Sequence, residues 1–253
     1  MMNSILPASK KLLKGLAVLA FWVGVWYIIA LVINQELLIP TPHKTILVLF
    51  EFAKTREFWL SVLFSTLRII AGFLTGIVIG TLGGVLSVKI KLFDAVFSPL
   101  LTLARAVPVA SFILLAYVWI KTNFIPVFIT ALMVAPIMWA ATMTGIKSID
   151  KSLVEMGQVF RLPKKEILLR IKFPGLAPAY ISSAVTAMGL AWKSGVAAEV
   201  ICYPQQSIGR LLYNAKTYLE TPETFAVTLV IVIISLALER AVKYFVKRWA
   251  QND

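Results

Sequence analysis

The amino-acid sequence predicts an all-α fold, a polytopic helical membrane protein with about six transmembrane helices that form a single domain over residues 1–253. Three observations support this prediction. Hydrophobic residues make up 59% of the chain, whereas a soluble domain of this length has about 45–50% apolar residues. Charged residues make up only 15%, against about 25% in ordinary globular proteins. Uncharged segments long enough to cross a bilayer also recur along the chain.

Six segments have the length and apolar composition of a membrane span, at residues 15–33, 60–88, 96–120, 122–146, 173–200 and 224–238. The first is too long for the apolar region of a signal peptide, so we interpret it as a retained span. Sixteen Lys and Arg residues then fall on the side that holds both termini, six on the other side, and three within or beside spans. Because basic residues concentrate in cytoplasmic loops, this split places both termini in the cytoplasm.

The composition also argues against several classes of function. The net charge of +13 follows from the basic loops, and no basic segment is interleaved with stacking aromatics, so no nucleic-acid partner is expected. The chain has one histidine, His43, and one cysteine, Cys202, so we expect neither a metal site nor a catalytic cluster. No G-x-x-x-x-G-K-[ST] segment is present. We therefore expect a protein that is not an enzyme and has no cofactor of its own.

Glycine recurs at every fourth position of the second predicted span, at Gly72, Gly76, Gly80 and Gly84. On a helix this spacing makes one smooth face that a second helix can approach closely. Glycine is common in membrane helices, but four in register favour a tight helix–helix seam. The seam can lie within one subunit or between two, and we favour packing within the subunit.

One long loop between predicted spans, residues 147–175, is both basic and helical in pattern. Its segment "LVEMGQVFRLPKKEILLRIKFPG" reads as two short helices that break at Pro163. Either Asp150 or Ser152, the latter with Glu155 at capping-box spacing, can cap the first helix. That helix carries an apolar stripe at Leu153, Met156 and Phe160. Helices this short are unstable alone, so they must pack on the spans, the bilayer or a partner protein.

This loop resembles the EAA loop of permease subunits of binding-protein-dependent ABC importers, which has the pattern E-A-A-x3-G-x9-I-x-L-P. All the spacings of that pattern are kept, with matches at Glu155, Ile171 and Pro174. Met156 and Gly157 replace the two alanines, Arg161 replaces the glycine, and Phe173 replaces the leucine. Glycine would allow the turn between the two helices, so we expect Pro163 to supply the bend instead.

Further blocks are similar to the nitrate/sulfonate/taurine-type branch of that family, among them "STLRIIAGFLTGIVIGTLGG", "RAVPVASFILLAYVWI", "GLAWKSGVAAEVI", "SIGRLLYNA" and "TPETFA". The resemblance implies a multi-pass permease of the bacterial cytoplasmic membrane that forms the pathway for a small solute. It implies a homodimer that works with an ABC ATPase subunit dimer, which carries ATP and Mg, and with an extracytoplasmic substrate-binding protein. The loop at 147–175 would then couple the permease to the ATPase.

Ionisable residues at membrane depth are candidate functional groups because they are costly there. Arg105 can form a structural pair between helices or line a pathway. Lys193 and Glu199 are poor partners for each other on an ideal helix, and for Glu199 we favour a structural role beside an outer gate. Arg68 lies near a span end and can snorkel. For Lys164 and Lys165 we favour a role in topology and contact with anionic membrane lipid.

The alternative to an importer subunit is a stand-alone secondary transporter or channel. Such a protein would rely on inverted repeats and on charged relay residues near the membrane centre. The sequence shows no convincing repeat and few acids within its spans, so we prefer the importer subunit. The transported substrate is left open between sulfonates, taurine, nitrate and thiamine- or riboflavin-related molecules.

Overall fold

The structure is a computed structural model that describes residues 8–251, with side chains described for residues 13–244. This part of the chain forms eleven α-helices and no strand, which confirms the predicted all-α class. The helices are α1 Ala8–Ile33, α2 Pro42–Lys54, α3 Arg56–Lys89, α4 Lys91–Ala106, α5 Val109–Trp119, α6 Ile125–Lys147, α7 Lys151–Val159, α8 Lys164–Ile167, α9 Phe173–Cys202, α10 Ile208–Thr217 and α11 Thr221–Gln251.

Five helical stretches of the described chain are each long and apolar enough to cross a membrane: Leu13–Ile33, Arg56–Lys89, Thr122–Lys147, Lys164–Cys202 and Thr221–Tyr244. The predicted third span, 96–120, falls on the pair α4 and α5, whose axes differ in direction by 108°. The bend inside this span has a local cause. Pro108 keeps the preceding residue out of the helical region, and Val107 accordingly has ψ 132°.

The bent pair still returns the chain from one side of the bundle to the other. Gly72 of α3 packs on Thr130 of α6, and Gly84 packs on Thr142, so the two helices run parallel with a constant offset. The end of α3 and the start of α6 therefore lie at opposite ends of the bundle. Because α4 and α5 connect these ends, together they make the sixth crossing of the bundle.

The four glycines in register all face α6 of the same chain. A Cβ on Gly76 would lie 2.6 Å from Val134 Cβ, and a Cβ on Gly80 would lie 2.5 Å from the Ala135 carbonyl oxygen. These distances are shorter than any ordinary carbon contact, so only glycine allows the two backbones to approach this closely. The seam holds α3 and α6 together within the subunit.

Helix α9 runs antiparallel to α6 and packs on α3, α6, α10 and α11. Its Trp192 is buried in the main core and donates its indole N–H to the Ile231 carbonyl of α11 at 2.9 Å. At one end α9 continues from the basic loop, and at the other it leads into α10. The helix therefore connects the two ends of the molecule that carry the candidate functional residues.

Candidate functional site: the basic loop and the intramembrane charges

The first loop helix, α7, is capped by Asp150, whose carboxylate accepts the Ser152 N–H at 2.8 Å. Hydrogen bonds from the Ser152 hydroxyl and N–H lower the pKa of the Asp150 carboxyl below its usual range. Of the two candidate N-cap residues, Asp150 and Ser152, Asp150 is the one that caps α7. Glu155 consequently lies in the second turn of α7 and takes no part in a capping box.

Arg161 makes the turn that follows α7. Its φ of 55° is left-handed, and the N–H groups of Arg161 and Leu162 donate to the carbonyls of Gln158 and Gly157, each at 2.9 Å. This hydrogen-bond pattern is a Schellman motif, in which glycine is preferred at the position that Arg161 occupies. A non-glycine residue in this conformation costs about 1 kcal/mol. The bend is thus made by Arg161 itself, and Pro163 follows as the cap residue of α8.

The two halves of the loop pack on each other at Gly157. A Cβ there would lie 3.1 Å from Ile171 Cδ1 and 3.3 Å from Ile167 Cγ1, so the position admits only a very small residue. Ile171 belongs to a π-type turn, Leu168–Lys172, that continues directly into α9 ahead of Pro174. The contact therefore joins α7 to a continuous helical path that runs into the membrane-spanning part of α9.

The apolar stripe of α7 is uncovered in the single chain. Met156 is 50% exposed and Phe160 is 71% exposed, and Leu153 and Val159 are exposed beside them. Glu155 lies on the other side of the helix, in a cleft of about 630 Å³ that also contains Lys147, Lys151 and Lys172. The loop thus presents an apolar surface outward and keeps its acid among lysines on the side facing the bundle.

Arg105 lies in the last turn of α4, directly before the bend. Its Nη2 donates to the Pro136 carbonyl at 2.6 Å, and Pro136 is the central residue of α6. The guanidinium is therefore held at the middle of the bundle by a backbone oxygen, and no carboxylate of the described residues forms an ion pair with it. Arg105 is exposed in the single chain.

Lys193 lies on an uncovered stripe of α9. Between residues 180 and 202, the exposed positions are Ser182, Thr186, Leu190, Lys193, Ala197 and Ile201, which share one face of the helix. Two residues beyond Lys193, Gly195 packs on Thr130, the sixth residue of α6. Lys193 therefore lies inside the spanning region with its side chain uncovered by its own subunit.

Glu199 is fully buried at the other end of α9 from the loop. Its carboxylate accepts the Ser65 hydroxyl at 2.6 Å, Arg68 Nη1 at 3.3 Å and the Gly209 N–H at 3.3 Å. Arg68 also donates to the carbonyls of Gln205 and Gln206. The structure thus joins Glu199 to α3 and to the start of α10, and it does not bring Glu199 and Lys193 together.

One pairing and one ionisable group within the spanning region were missed from the sequence. Arg68 was expected to snorkel but forms an ion pair with Glu199, a residue 131 positions away in the chain. Glu239, just beyond the predicted sixth span, extends its carboxylate over Gly189, with Oε1 2.6 Å from where a Cβ would lie. Glu239 was missed because α11 continues helically past the predicted span end.

These features together define a class of protein: a polytopic helical membrane protein with ionisable residues among its spans and a helical loop whose apolar stripe is uncovered. The sequence profile of the family "Binding-protein-dependent transport system inner membrane component" matches residues 72–251. The chain belongs to this family of ABC importer permeases. The predicted family and the predicted role as the transmembrane subunit of an ABC importer are both confirmed, and as such the chain works with an ATPase and a binding protein.

Relatives and solved structures agree with this assignment. The taurine transport system permease protein TauC of Escherichia coli is 24% identical over 251 residues, which cover 96% of this chain and 90% of TauC. SsuC of Bacillus subtilis, assigned to aliphatic sulfonates transport, is 23% identical over 88% of this chain and 81% of its own. The structure of an amino acid ABC transporter matches with a TM-score of 0.59 at 14% identity, covering 74% of this chain and 91% of that one. The inward-facing MetNI methionine ABC transporter matches with a TM-score of 0.57 at 15% identity, covering 75% and 93%.

Proposed function

We propose that two copies of this chain form the membrane pathway of an importer for a small organic sulfonate, and that Lys193 lines this pathway. The observation that carries the proposal is the uncovered Lys193 inside the spanning region. An ammonium group facing lipid at this depth is costly, so such residues face a bundle interior or a water-filled cavity. A second copy placed against the exposed stripe of α9 would enclose Lys193 in such a cavity.

The chemistry of the pathway favours an anion. Lys193 and Arg105 both lie within the spanning region without a carboxylate partner among the described ion pairs, so they supply positive charge that a sulfonate can neutralise. Two relatives carry names that refer to taurine and to aliphatic sulfonates. The relatives and the two cations together support a sulfonate as substrate class.

The proposed pathway is tested by charge reversal in the reconstituted importer. Lys193→Glu is expected to lower ATP-dependent uptake of labelled taurine or ethanesulfonate by at least tenfold, because it places an anion where the substrate passes. Lys193→Arg keeps the charge and is expected to stay within about threefold of wild type. Equal uptake by all three proteins would show that Lys193 faces no pathway. If the wild-type importer takes up neither taurine nor ethanesulfonate, the proposed substrate class is wrong.

We further propose that both termini and the loop at 147–175 are cytoplasmic, and that Lys164 and Lys165 lie near anionic lipid. The support is the division of Lys and Arg residues, sixteen against six. Lys164 and Lys54 are both exposed and lie at opposite ends of the bundle. A cysteine at Lys54 should react with an impermeant thiol reagent in intact cells, and one at Lys164 only after permeabilisation. The reverse pattern would invert the orientation.

The proposed site of coupling is the apolar stripe of α7. Its exposed side chains have no cover in the described chain, whereas Gly157 on the neighbouring side of the helix packs on Ile167 and Ile171. A partner that binds the stripe would therefore move α7 together with the start of α9. This arrangement supports transmission of ATPase motion to the helix that carries Lys193.

A further inference from the structure

A cluster of aromatic and basic side chains lies at the end of α9 farthest from the basic loop at 147–175. Arg210 stacks on the Tyr203 ring, with its guanidinium carbon 4.9 Å from the ring centroid. Tyr213 packs edge-on against Tyr203 at 5.0 Å, and the Tyr203 hydroxyl donates to Asn214. We name this surface the outer patch and define it by Tyr203, Gln205, Arg210, Tyr213, Lys216 and Tyr218.

The outer patch is held rigidly by the buried part of the molecule. Tyr203 has a left-handed φ of 57°, and its N–H donates to the Glu199 carbonyl at 2.9 Å. Arg68 Nη2 donates to the Gln205 carbonyl at 2.9 Å. Gly209, at the start of α10, packs so closely on α9 that a Cβ would lie 2.5 Å from the Glu199 carbonyl carbon. A surface fixed in this way loses little conformational freedom when a partner binds.

The outer patch is not the membrane-facing side of an amphipathic helix. The apolar side of α10 is already covered by its own chain, because Ile208, Gly209 and Ala215 are buried and α10 packs on α3, α9 and α11. The side that remains exposed carries tyrosines, an amide and Lys216. Tyrosine and arginine are the residues enriched where protein interfaces are strongest. The exposed side therefore fits a folded protein better than acyl chains.

We propose that the outer patch is the docking surface for the extracytoplasmic binding protein, with Arg210 and Lys216 facing carboxylates on that protein. The proposal rests on the proposed orientation, which places α10 outside the cytoplasm. Family membership makes a binding protein a working partner of this chain, and the outer patch is a rigid aromatic and cationic surface at the end of the bundle that the proposed orientation places outside the cytoplasm. Docking there would act on α9 through the contacts of Gly209 and Tyr203 with Glu199.

The test uses the permease–ATPase complex in lipid nanodiscs and its cognate binding protein. Two quantities are measured: direct binding of the binding protein, and the ATP hydrolysis it stimulates. Lys216→Glu, alone and with Tyr213→Ala, is expected to weaken binding at least tenfold, with hydrolysis in the absence of binding protein unchanged. Lys54→Glu is the matched control, because Lys54 is also an exposed lysine in the last turn of a short helix. It is expected to stay within twofold of wild type.

Lys216 is exposed, so the single variant Lys216→Glu keeps the test decisive if the double variant folds poorly. Wild-type binding by both variants would overturn the proposal. So would a fall in thermal stability with binding unchanged, which would assign Tyr213 to anchoring at the membrane surface. Binding without any stimulated hydrolysis or uptake would instead count against the proposed function, because docking would then be intact while transport fails.

Discussion

Replacing Phe160 with aspartate is expected to release the ATPase subunit from the purified permease while the permease stays inserted in the membrane. Phe160 is 71% exposed at the end of α7, so the substitution removes no core packing from the permease. Truncating a central aromatic at a protein interface costs about 2–4 kcal/mol, and a buried carboxylate adds a desolvation penalty. Since each 1.4 kcal/mol is about a tenfold change in affinity, a loss of at least about thirtyfold is expected.

Affinity purification through the permease, followed by the ratio of ATPase to permease and by substrate-stimulated hydrolysis, measures this effect. Met156→Asp is expected to act in the same direction, because Met156 belongs to the same exposed stripe. Leu92→Asp is the matched control, since Leu92 is also highly exposed and lies at the same end of the bundle, outside the loop. Full ATPase retention by the Phe160 variant would place α7 on the lipid surface and remove it from the docking site.

Glu155→Lys is also expected to impair coupling, but by another route. The substitution would put a fourth lysine into the cleft that holds Lys147, Lys151 and Lys172, so like charges would push α7 away from the bundle. The effect should diminish at high salt because the cleft is open to solvent. The Phe160 effect, which has an apolar cause, should persist. Lys164 substitutions should matter least, since this residue lies outside both surfaces.

Gly80→Ala is expected to destabilise the permease by about 3 kcal/mol, the upper end of the range for an overpacked core. The added methyl group would lie 2.5 Å from the Ala135 carbonyl oxygen and 2.7 Å from Met138 Cβ. Neither neighbour is the flexible end of a side chain, so α3 and α6 must separate. The measurement is thermal unfolding of the permease in detergent, together with the amount of chain found in the membrane.

Gly24→Ala is the control for this substitution. Gly24 also lies inside a membrane-spanning helix, α1, and a Cβ there would meet no heavy atom within 4 Å of its own chain. Alanine is the better helix former, so the control variant should be as stable as wild type or slightly more stable. Equal stability of the Gly80 variant would mean that α3 and α6 adjust without cost and that the seam does not require glycine.

The glycine face and the basic loop were predictable from the sequence because both are periodic features of a single segment. Four glycines at one spacing define a surface without knowledge of its partner, although the partner helix was found only in the structure. The loop likewise showed its two helices and its bend. The bend was assigned wrongly to Pro163. A left-handed arginine is unfavourable, so nothing in the sequence indicated one at position 161. In the structure the Schellman hydrogen bonds and the packing at Gly157 hold Arg161 in this conformation.

The features that the sequence could not supply depend on residues far apart in the chain. Arg68 and Glu199 are separated by 131 positions, and nothing local in either span indicates that the two side chains meet. The direction change at Val107 had a local signal in Pro108, but apolar composition across 96–120 outweighed it in the prediction. Composition was thus enough to locate the spans. The ion pair between Arg68 and Glu199 could be found only once the antiparallel arrangement of α3 and α9 was known.

The uncovered end of α7 also affects how long an unassembled subunit survives in the cell. A newly inserted subunit presents Met156, Val159 and Phe160 to the cytosol, or to whatever compartment the loop faces, until a partner covers them. Exposed apolar clusters of this kind are what chaperones and quality-control proteases bind. Orphan copies should therefore be cleared quickly, so the amount of permease in a cell is expected to follow the supply of its ATPase rather than its own rate of synthesis.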